Sequence, residues 1–410
     1  MANGSNDLGR REFLQRGVTV TLGACALGLP GEGPRAAQNP PQVRGFRTLG
    51  RTGMKISDIS MGTSRNDDPS VVRHAFERGI NYFDTAESYR DSRSELAVGE
   101  ALHAHRDQVF IATKTITSPT DRRGDLMERL HGSLKRLRTE HVDVYFNHSV
   151  NDLARLQNPE WYEFVELAKR QGKIRFSGMS GHGGRLIDCL DYAIDNDLVD
   201  VILAAYNFGQ DPKFYERFTR SFDFVANQAG LPRVLKKANA KGVGVVAMKT
   251  LMGGRLNDLS AYQWAGGSQE GAAFRWVLSS EHVDALVVSM TGTEQIDGYL
   301  GASGMAKLAR GDEQRLRSYI ARHSESSCRP GCNACANGCP LGVPISDVLR
   351  ARMYAVDYAD RQLARDSYEK LGPGASPCLT CANPACIATC PHDLAIPDLT
   401  RSAARILDCA

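Results

Sequence analysis

Between Phe46 and Ser303 the chain repeats one unit eight times: a short apolar run, then a longer stretch with helical apolar spacing. The runs are Ile56–Met61, Tyr82–Asp84, Val109–Thr113, Val142–Asn147, Ile174–Ser180, Val199–Tyr206, Val243–Met248 and Ala285–Ser289. They are too short for buried helices, and helical patterns such as 125–138, 161–171 and 185–196 lie between them. Eight strand–helix units in roughly 250 residues predict an α/β fold, the TIM (β/α)8 barrel. A doubly wound sheet needs fewer strands, and no G-x-G-x-x-G follows the first run. Ahead of that run, residues 47–56, with glycines at 50 and 53, read as a hairpin.

The 410 residues leave room for a second, smaller domain. Its signal is in the cysteines. Of 11 in the chain, eight fall in two groups, Cys328-x3-Cys332-x2-Cys335-x3-Cys339-Pro340 and Cys378-x2-Cys381-x4-Cys386-x3-Cys390-Pro391. Three closely spaced cysteines and then a fourth followed by proline is the pattern of a 4Fe–4S ligand set. Four thiolates also suit tetrahedral zinc, but zinc sites usually pair two C-x2-C knuckles and need no proline after the last cysteine. Helices are expected over 346–353 and 358–371, between the groups. The arrangement resembles a mainly α-helical dicluster ferredoxin-like domain. That resemblance implies two 4Fe–4S clusters, with Cys339 joining Cys378, Cys381 and Cys386, and Cys390 joining Cys328, Cys332 and Cys335. The expected organisation is a signal peptide over 1–37, a linker over 38–45, the barrel over 46–303 and the cluster domain over 304–410.

A net charge of +3, with no basic run interleaved with aromatics, excludes an evident nucleic-acid partner. No apolar stretch is long enough to span a membrane. Arg10-Arg11-Glu12-Phe13-Leu14 before a weakly apolar stretch is a twin-arginine signal pattern, which implies export of an already folded protein. Leu22-Gly23-Ala24-Cys25 resembles a lipoprotein box, so lipidation of Cys25 is one route to a membrane; cleavage near Ala36-Ala37 is the alternative.

A TIM barrel carries its chemistry at the C-terminal ends of its strands. Asp84, Lys114, His148 and Ser180 fall there after consecutive strands, with Tyr89 just beyond Asp84. Phe83-Asp84-Thr85-Ala86-Glu87-Ser88-Tyr89, Ser94-Glu95-Leu96, Thr113-Lys114 and Phe146-Asn147-His148 resemble the signature of the aldo-keto reductases. The resemblance implies carbonyl–alcohol interconversion with a small substrate, a sugar being one candidate. Tyr89 would be the general acid, Lys114 the cation lowering its pKa, Asp84 the partner of Lys114, and His148 the group orienting the substrate oxygen. It assigns Thr63, Ser180, Met248, Lys249, Ser289 and Thr291 to a nicotinamide nucleotide. The match departs there: the family's Ser-Asn pair is Ser180-Gly181 followed by His182, and a glutamine on strand six falls near Leu203. From Ser289 to Tyr299 there is no Lys or Arg for a 2′-phosphate, so no preference for NADP is expected and NAD or another arrangement gains. The expected whole is an exported oxidoreductase whose clusters relay electrons to or from a redox partner protein or a quinone. An electron carrier with a vestigial barrel and a nucleotide-dependent reductase with structural clusters are the alternatives.

Overall fold

The computed structural model describes Met1 and residues 40–183, 185–211, 230–252, 259, 262–263, 266–323, 328, 334–335, 337–356 and 361–408. The export signal, Cys25, Cys332, Cys409 and residues 253–258 lie outside these. Contacts divide the chain into Met1–Asn39 and Pro40–Ala410, and the second unit carries all that follows.

A hairpin of β1 (Phe46–Thr48) and β2 (Lys55–Ser57) precedes eight strands: β3 (Ile59–Gly62), β4 (Tyr82–Asp84), β5 (Phe110–Thr115), β6 (Val142–Asn147), β7 (Ile174–Gly181), β8 (Val201–Ala205), β9 (Gly244–Met248) and β10 (Ala285–Ser289). These eight close into a parallel barrel in chain order, with β10 pairing β3. The expected α/β barrel is present.

The expected first strand, 56–61, is split. Asp58 sits at the junction: its amide donates to the Gly45 carbonyl beside the hairpin, its carbonyl accepts from the Leu286 amide of β10, and its carboxylate accepts hydrogen bonds from the Ile59 and Gly304 amides and the Ser303 hydroxyl. Residues on either side therefore serve different sheets. Leu49, Met54 and Ile56 of the hairpin pack with the barrel's inward side chains and plug its lower end.

Inside the barrel every second residue points to the axis. Tyr82, Ala112, Val144, Phe146, Val201, Leu203, Val246, Ala285 and Val287 form the packed interior. The alternate residues, such as Ile59, Phe83, Ile111, Tyr145 and Ile202, face the helical shell. The helices around the barrel start where the sequence supplies caps. Asp68 accepts from the Ser70 amide before Pro69–Glu77, Asn158 from Glu160 before Pro159–Arg170, and Ser268 from Gly271 before Gln269–Leu278, with proline in the first turn of the first two.

The packing does not divide at the expected boundary between 303 and 304. In the helix Asp312–His323, Leu316, Tyr319 and Ile320 belong to the barrel's core. Asp312 there holds Arg275 through two bonds of 2.7 and 2.8 Å. A separate small core gathers three further helices, Ile345–Val356, Arg361–Tyr368 and Ile396–Leu407, around Val348, Tyr354, Ala364, Tyr368, Leu394 and Ala403.

Gly178 on β7 shows how tightly the strands are fitted. A Cβ there would lie 2.4 Å from the Val201 carbonyl oxygen and 2.5 Å from the Phe146 ring. Gly178→Ala should lower stability by about 1–3 kcal/mol, since neither backbone nor a packed ring yields easily. Urea unfolding of the variant checks this; an unchanged midpoint would contradict the contact.

Candidate active site

The alternation that packs the barrel also builds its upper rim. Two residues beyond Tyr82 on β4 is Asp84, two beyond Ala112 on β5 is Lys114, and two beyond Phe146 on β6 is His148. The same step leads to Ser180 on β7, to Met248 on β9 and to Ser289 on β10. All six line one cavity of about 430 Å³, a volume suited to a drug-sized ligand. Lys114 was expected beyond its strand; it lies within β5, and its side chain is fully buried.

At the cavity floor Lys114 Nζ donates to Asp84 Oδ1 at 2.5 Å and to the Thr85 carbonyl at 2.7 Å. It reaches the Tyr89 hydroxyl at 3.5 Å and stands 4.8 Å from the centre of that ring. The His148 ring meets Tyr89 edge-on, with centroids 5.5 Å apart. The structure thus brings together Asp84, Tyr89, Lys114 and His148, the four residues to which the resemblance gave catalytic roles. Tyr89 is fixed by a turn in which Arg90, Asp91 and Ser92 all have positive φ, at 54°, 54° and 66°. Non-glycine residues occupy that region at a cost; here Ser92 Oγ donates to the Glu87 carbonyl, and Glu87 accepts from Thr115 beside Lys114.

Burial dominates the electrostatics. It raises the Asp84 carboxyl and lowers the Lys114 ammonium, while their mutual contact opposes both shifts. The Tyr89 phenol lies well above its ordinary value, through burial first and then the Asp84 carboxylate. The downward pull expected of Lys114 is outweighed by burial, with the Asp84 carboxylate adding to the rise. His148 lies well below its usual range through burial, with Lys114 and Arg155 adding to it. The floor therefore holds a protonated phenol beside a neutral imidazole.

Residues 49–263 match the model of the aldo/keto reductase family. The chain belongs to that family. L-galactose dehydrogenase of Arabidopsis thaliana is 26% identical over 298 residues, covering 63% of this chain and 87% of that protein. An uncharacterized oxidoreductase of Bacillus subtilis, YrpG, is 28% identical over 247 residues, 54% of this chain and 71% of that protein. A putative aldo-keto reductase from Pseudomonas aeruginosa shares the fold, with a TM-score of 0.52 and 23% identity over 66% of this chain and 99% of that one. This aldo/keto reductase is an oxidoreductase, and about a third of it extends past the part matched by that solved structure.

Of the positions assigned to a nucleotide, Ser180, Met248, Lys249 and Ser289 line the cavity. Ser180 Oγ accepts from the Ser149 amide, and Ser289 Oγ bonds Ser64 Oγ at 2.7 Å. Thr63 is buried below the cavity on the Asp84 carbonyl and Ser94, and Thr291 is exposed on Gln295; neither lines it.

The cysteines converge in two places. Cys339, Cys378, Cys381 and Cys386 line one small cavity; Cys328, Cys335 and Cys390 line another beside His392. Burial raises the Cys378 and Cys386 thiols, and Cys339 and Cys381 lie close enough to add to it. Arg401 donates to the Cys378 and Cys381 carbonyls at 3.2 and 3.3 Å, holding that loop. Among the described residues no three His, Cys, Asp or Glu side chains are placed to hold a single metal ion.

Sequence reasoning missed two features. Arg155 donates to the His148 and Ser149 carbonyls and to Asn147, at 2.7–2.9 Å, and so fixes the loop carrying His148; burial pushes its guanidinium down to about 10. The cavity's roof comes from the small helical core: Asp347, Arg350, Ala351 and Tyr354 from one helix and Leu363, Asp366 and Lys370 from the next element and its end. Tyr354 accepts from Lys249 at 2.8 Å, and Asp347 accepts from Asn151 at 3.2 Å. The only sequence signal was the helical spacing of Asp347, Arg350, Ala351 and Tyr354, which puts two charged residues on a face shared with Ala351 and Tyr354 of the apolar core.

The neutral buried His148 fixes a pH dependence. Unfolded, its imidazole takes a proton near pH 6.5; folded, it does so only at lower pH. Below about pH 6.5 the unfolded state therefore binds more protons, and stability falls with acid. His148→Gln should flatten that acid limb by up to one proton, about 1.4 kcal/mol per pH unit. Denaturation measured across pH 5–7 tests it, and parallel curves for the two proteins would refute it.

Proposed function

We propose that the chain is an exported aldo/keto reductase-like oxidoreductase that interconverts a carbonyl and an alcohol, with two 4Fe–4S clusters exchanging electrons with a redox partner protein or a quinone. The observation that carries the reading is the Asp84–Lys114–Tyr89–His148 arrangement on the floor of a ligand-sized cavity.

In the reducing direction a carbonyl oxygen lies between the Tyr89 hydroxyl and the His148 ring. As the carbonyl carbon gains hydride, charge grows on that oxygen, and Tyr89 passes it a proton. A phenol held above its ordinary pKa is protonated and ready for this step. Lys114, 3.5 Å away, stabilises the phenolate left behind. Asp84 keeps Lys114 in place, and neutral His148 hydrogen-bonds the substrate oxygen without competing for the proton. In the oxidising direction Tyr89 accepts the hydroxyl proton.

A nicotinamide nucleotide fits the wall formed by Ser180, Met248, Lys249 and Ser289, and would supply the hydride. Cys339 with Cys378, Cys381 and Cys386 fits one cluster, and Cys328, Cys332 and Cys335 with Cys390 the other, the first of these sets converging on one cavity as cross-ligation requires. The clusters would supply one-electron storage. The aromatic and acidic roof residues are compatible with a polyhydroxylated substrate, in keeping with a relative named for L-galactose. The twin-arginine pattern supports export of the folded protein.

One observation favours a second reading, in which the clusters are structural. The helix Ile345–Val356 packs against cysteines on one side and roofs the cavity on the other, so the clusters would hold the roof. Substrate-driven bleaching of cluster absorbance separates the two: the relay reading requires it and the structural reading forbids it.

Tyr89→Phe should cut turnover by about 10²–10⁴-fold with fold and iron content intact, because it deletes only the proton donor. Steady-state rates with small carbonyls and sugars, using an artificial electron acceptor for oxidation, provide the assay. Turnover at the parent rate would remove this mechanism. Anaerobically purified protein should hold about eight iron atoms and a broad absorbance near 400 nm that dithionite bleaches, as two 4Fe–4S clusters require. Stoichiometric zinc without iron would refute the cluster assignment.

A further inference from the structure

Among the described residues the cavity is lined by six cations, Arg65, Lys114, Arg155, Lys249, Arg350 and Lys370, against four carboxylates, Asp84, Asp152, Asp347 and Asp366. On the floor the charges are matched, since Lys114 touches Asp84 and Arg155 is held by carbonyl oxygens of its own loop. At the roof three cations from different parts of the chain converge. Arg350 is buried and donates through Nη1 to Asp347 at 2.6 Å; that carboxylate also accepts from Asn151 of the barrel, which fixes the pair at the seam. A guanidinium carries five N–H donors in a rigid fork, and this one borders the cavity. Lys249, at a positive φ of 57°, is turned up to Tyr354, the next residue along the same helical face. Lys370 lies across the opening, exposed. These groups lie close enough to be felt at the rings below: burial depresses His182 first, with Lys249 and Arg350 adding to it, and depresses His148 first, with Lys114, Arg155, Lys370 and Lys249 adding in turn.

We propose that this seam is an oxyanion subsite, in which Arg350, flanked by Lys249 and Lys370, binds an anionic oxygen group of a ligand whose reacting end reaches Tyr89. A planar guanidinium matches carboxylate and phosphate oxygens two at a time. The anion is either the carboxylate of a hydroxy or sugar acid or the phosphate of a nucleotide. The inference takes the cavity to be the active site, as proposed above. It is read by binding, however, so failure of the Tyr89 chemistry and failure of the subsite are separate results.

The experiment is calorimetric titration of the full-length protein, purified anaerobically, with gluconate, its neutral counterpart sorbitol, and inorganic pyrophosphate. At least one anion should bind ten-fold or more tightly than sorbitol. Arg350→Gln should weaken that anion by about 10- to 100-fold, the worth of a hydrogen bond to a charged group, and leave sorbitol unchanged. Loss confined to gluconate assigns the site to a substrate carboxylate; loss confined to pyrophosphate assigns it to a nucleotide phosphate. If Arg350→Gln does not fold, Arg350→Lys and the exposed Lys370→Gln carry the test, each expected to weaken the anion several-fold. Anions binding no better than sorbitol, or anion affinity unchanged in the variants, would overturn the proposal.

Discussion

The contact between Lys114 and Asp84 is the one on which the rest of the site depends. Both side chains are out of water, and removing either partner would cost about 3–5 kcal/mol, a large share of a folded domain's margin of stability. They meet only because β4 and β5 are neighbours in a closed barrel whose register places Asp84 against Ala112, two residues before Lys114. Burial keeps the proton on Tyr89 and keeps His148 neutral; Asp84 of the pair adds to the first effect and Lys114 to the second. A buried ion pair of this kind is a poor source of stability; its value lies in holding an ammonium at a fixed distance from a hydroxyl.

The barrel was legible because its evidence is local and repeated. Each apolar run carries its own turn signals, and period-two alternation puts Asp84, Lys114 and His148 on one face without knowledge of any other strand. The split at Asp58 was not legible, because what breaks the strand is a carboxylate capping backbone and side chain at Ser303 and Gly304, about 245 residues away in sequence. The same holds for the roof. Nothing near Asp347 or Tyr354 announces that Asn151 and Lys249 will be their partners. Thr63 and Thr291 show the converse: a polar residue near a strand end is as easily spent on the loop that carries it as on a ligand. Tyr89 lies in the cavity beside Lys114, but its ionisation was misjudged, because the sequence does not say how completely the phenol is buried.

The cysteine spacing carried a different kind of information. It marked the two groups, while their cross-pairing was implied only by the resemblance to dicluster domains; Cys339 lines a cavity with Cys378, Cys381 and Cys386. It did not foretell that Ile345 would border that cavity, Leu349 the other cysteine cavity and Arg350 the large cavity above Lys114, all within six residues of one helix.

Floor and roof thus come from separate stretches of chain with separate cores. The floor is bound into strand registers that a single insertion would disrupt. The roof is carried by two helices that the barrel does not use to close itself. Selection acting on such a molecule meets two unequal resistances. The floor residues are held in place by the geometry of the whole barrel, whereas the roof residues rest on a few turns of helix with their own small core, which drift, recombination or grafting can replace. Lineages built on this plan would diversify in what they accept long before they change what they do to it.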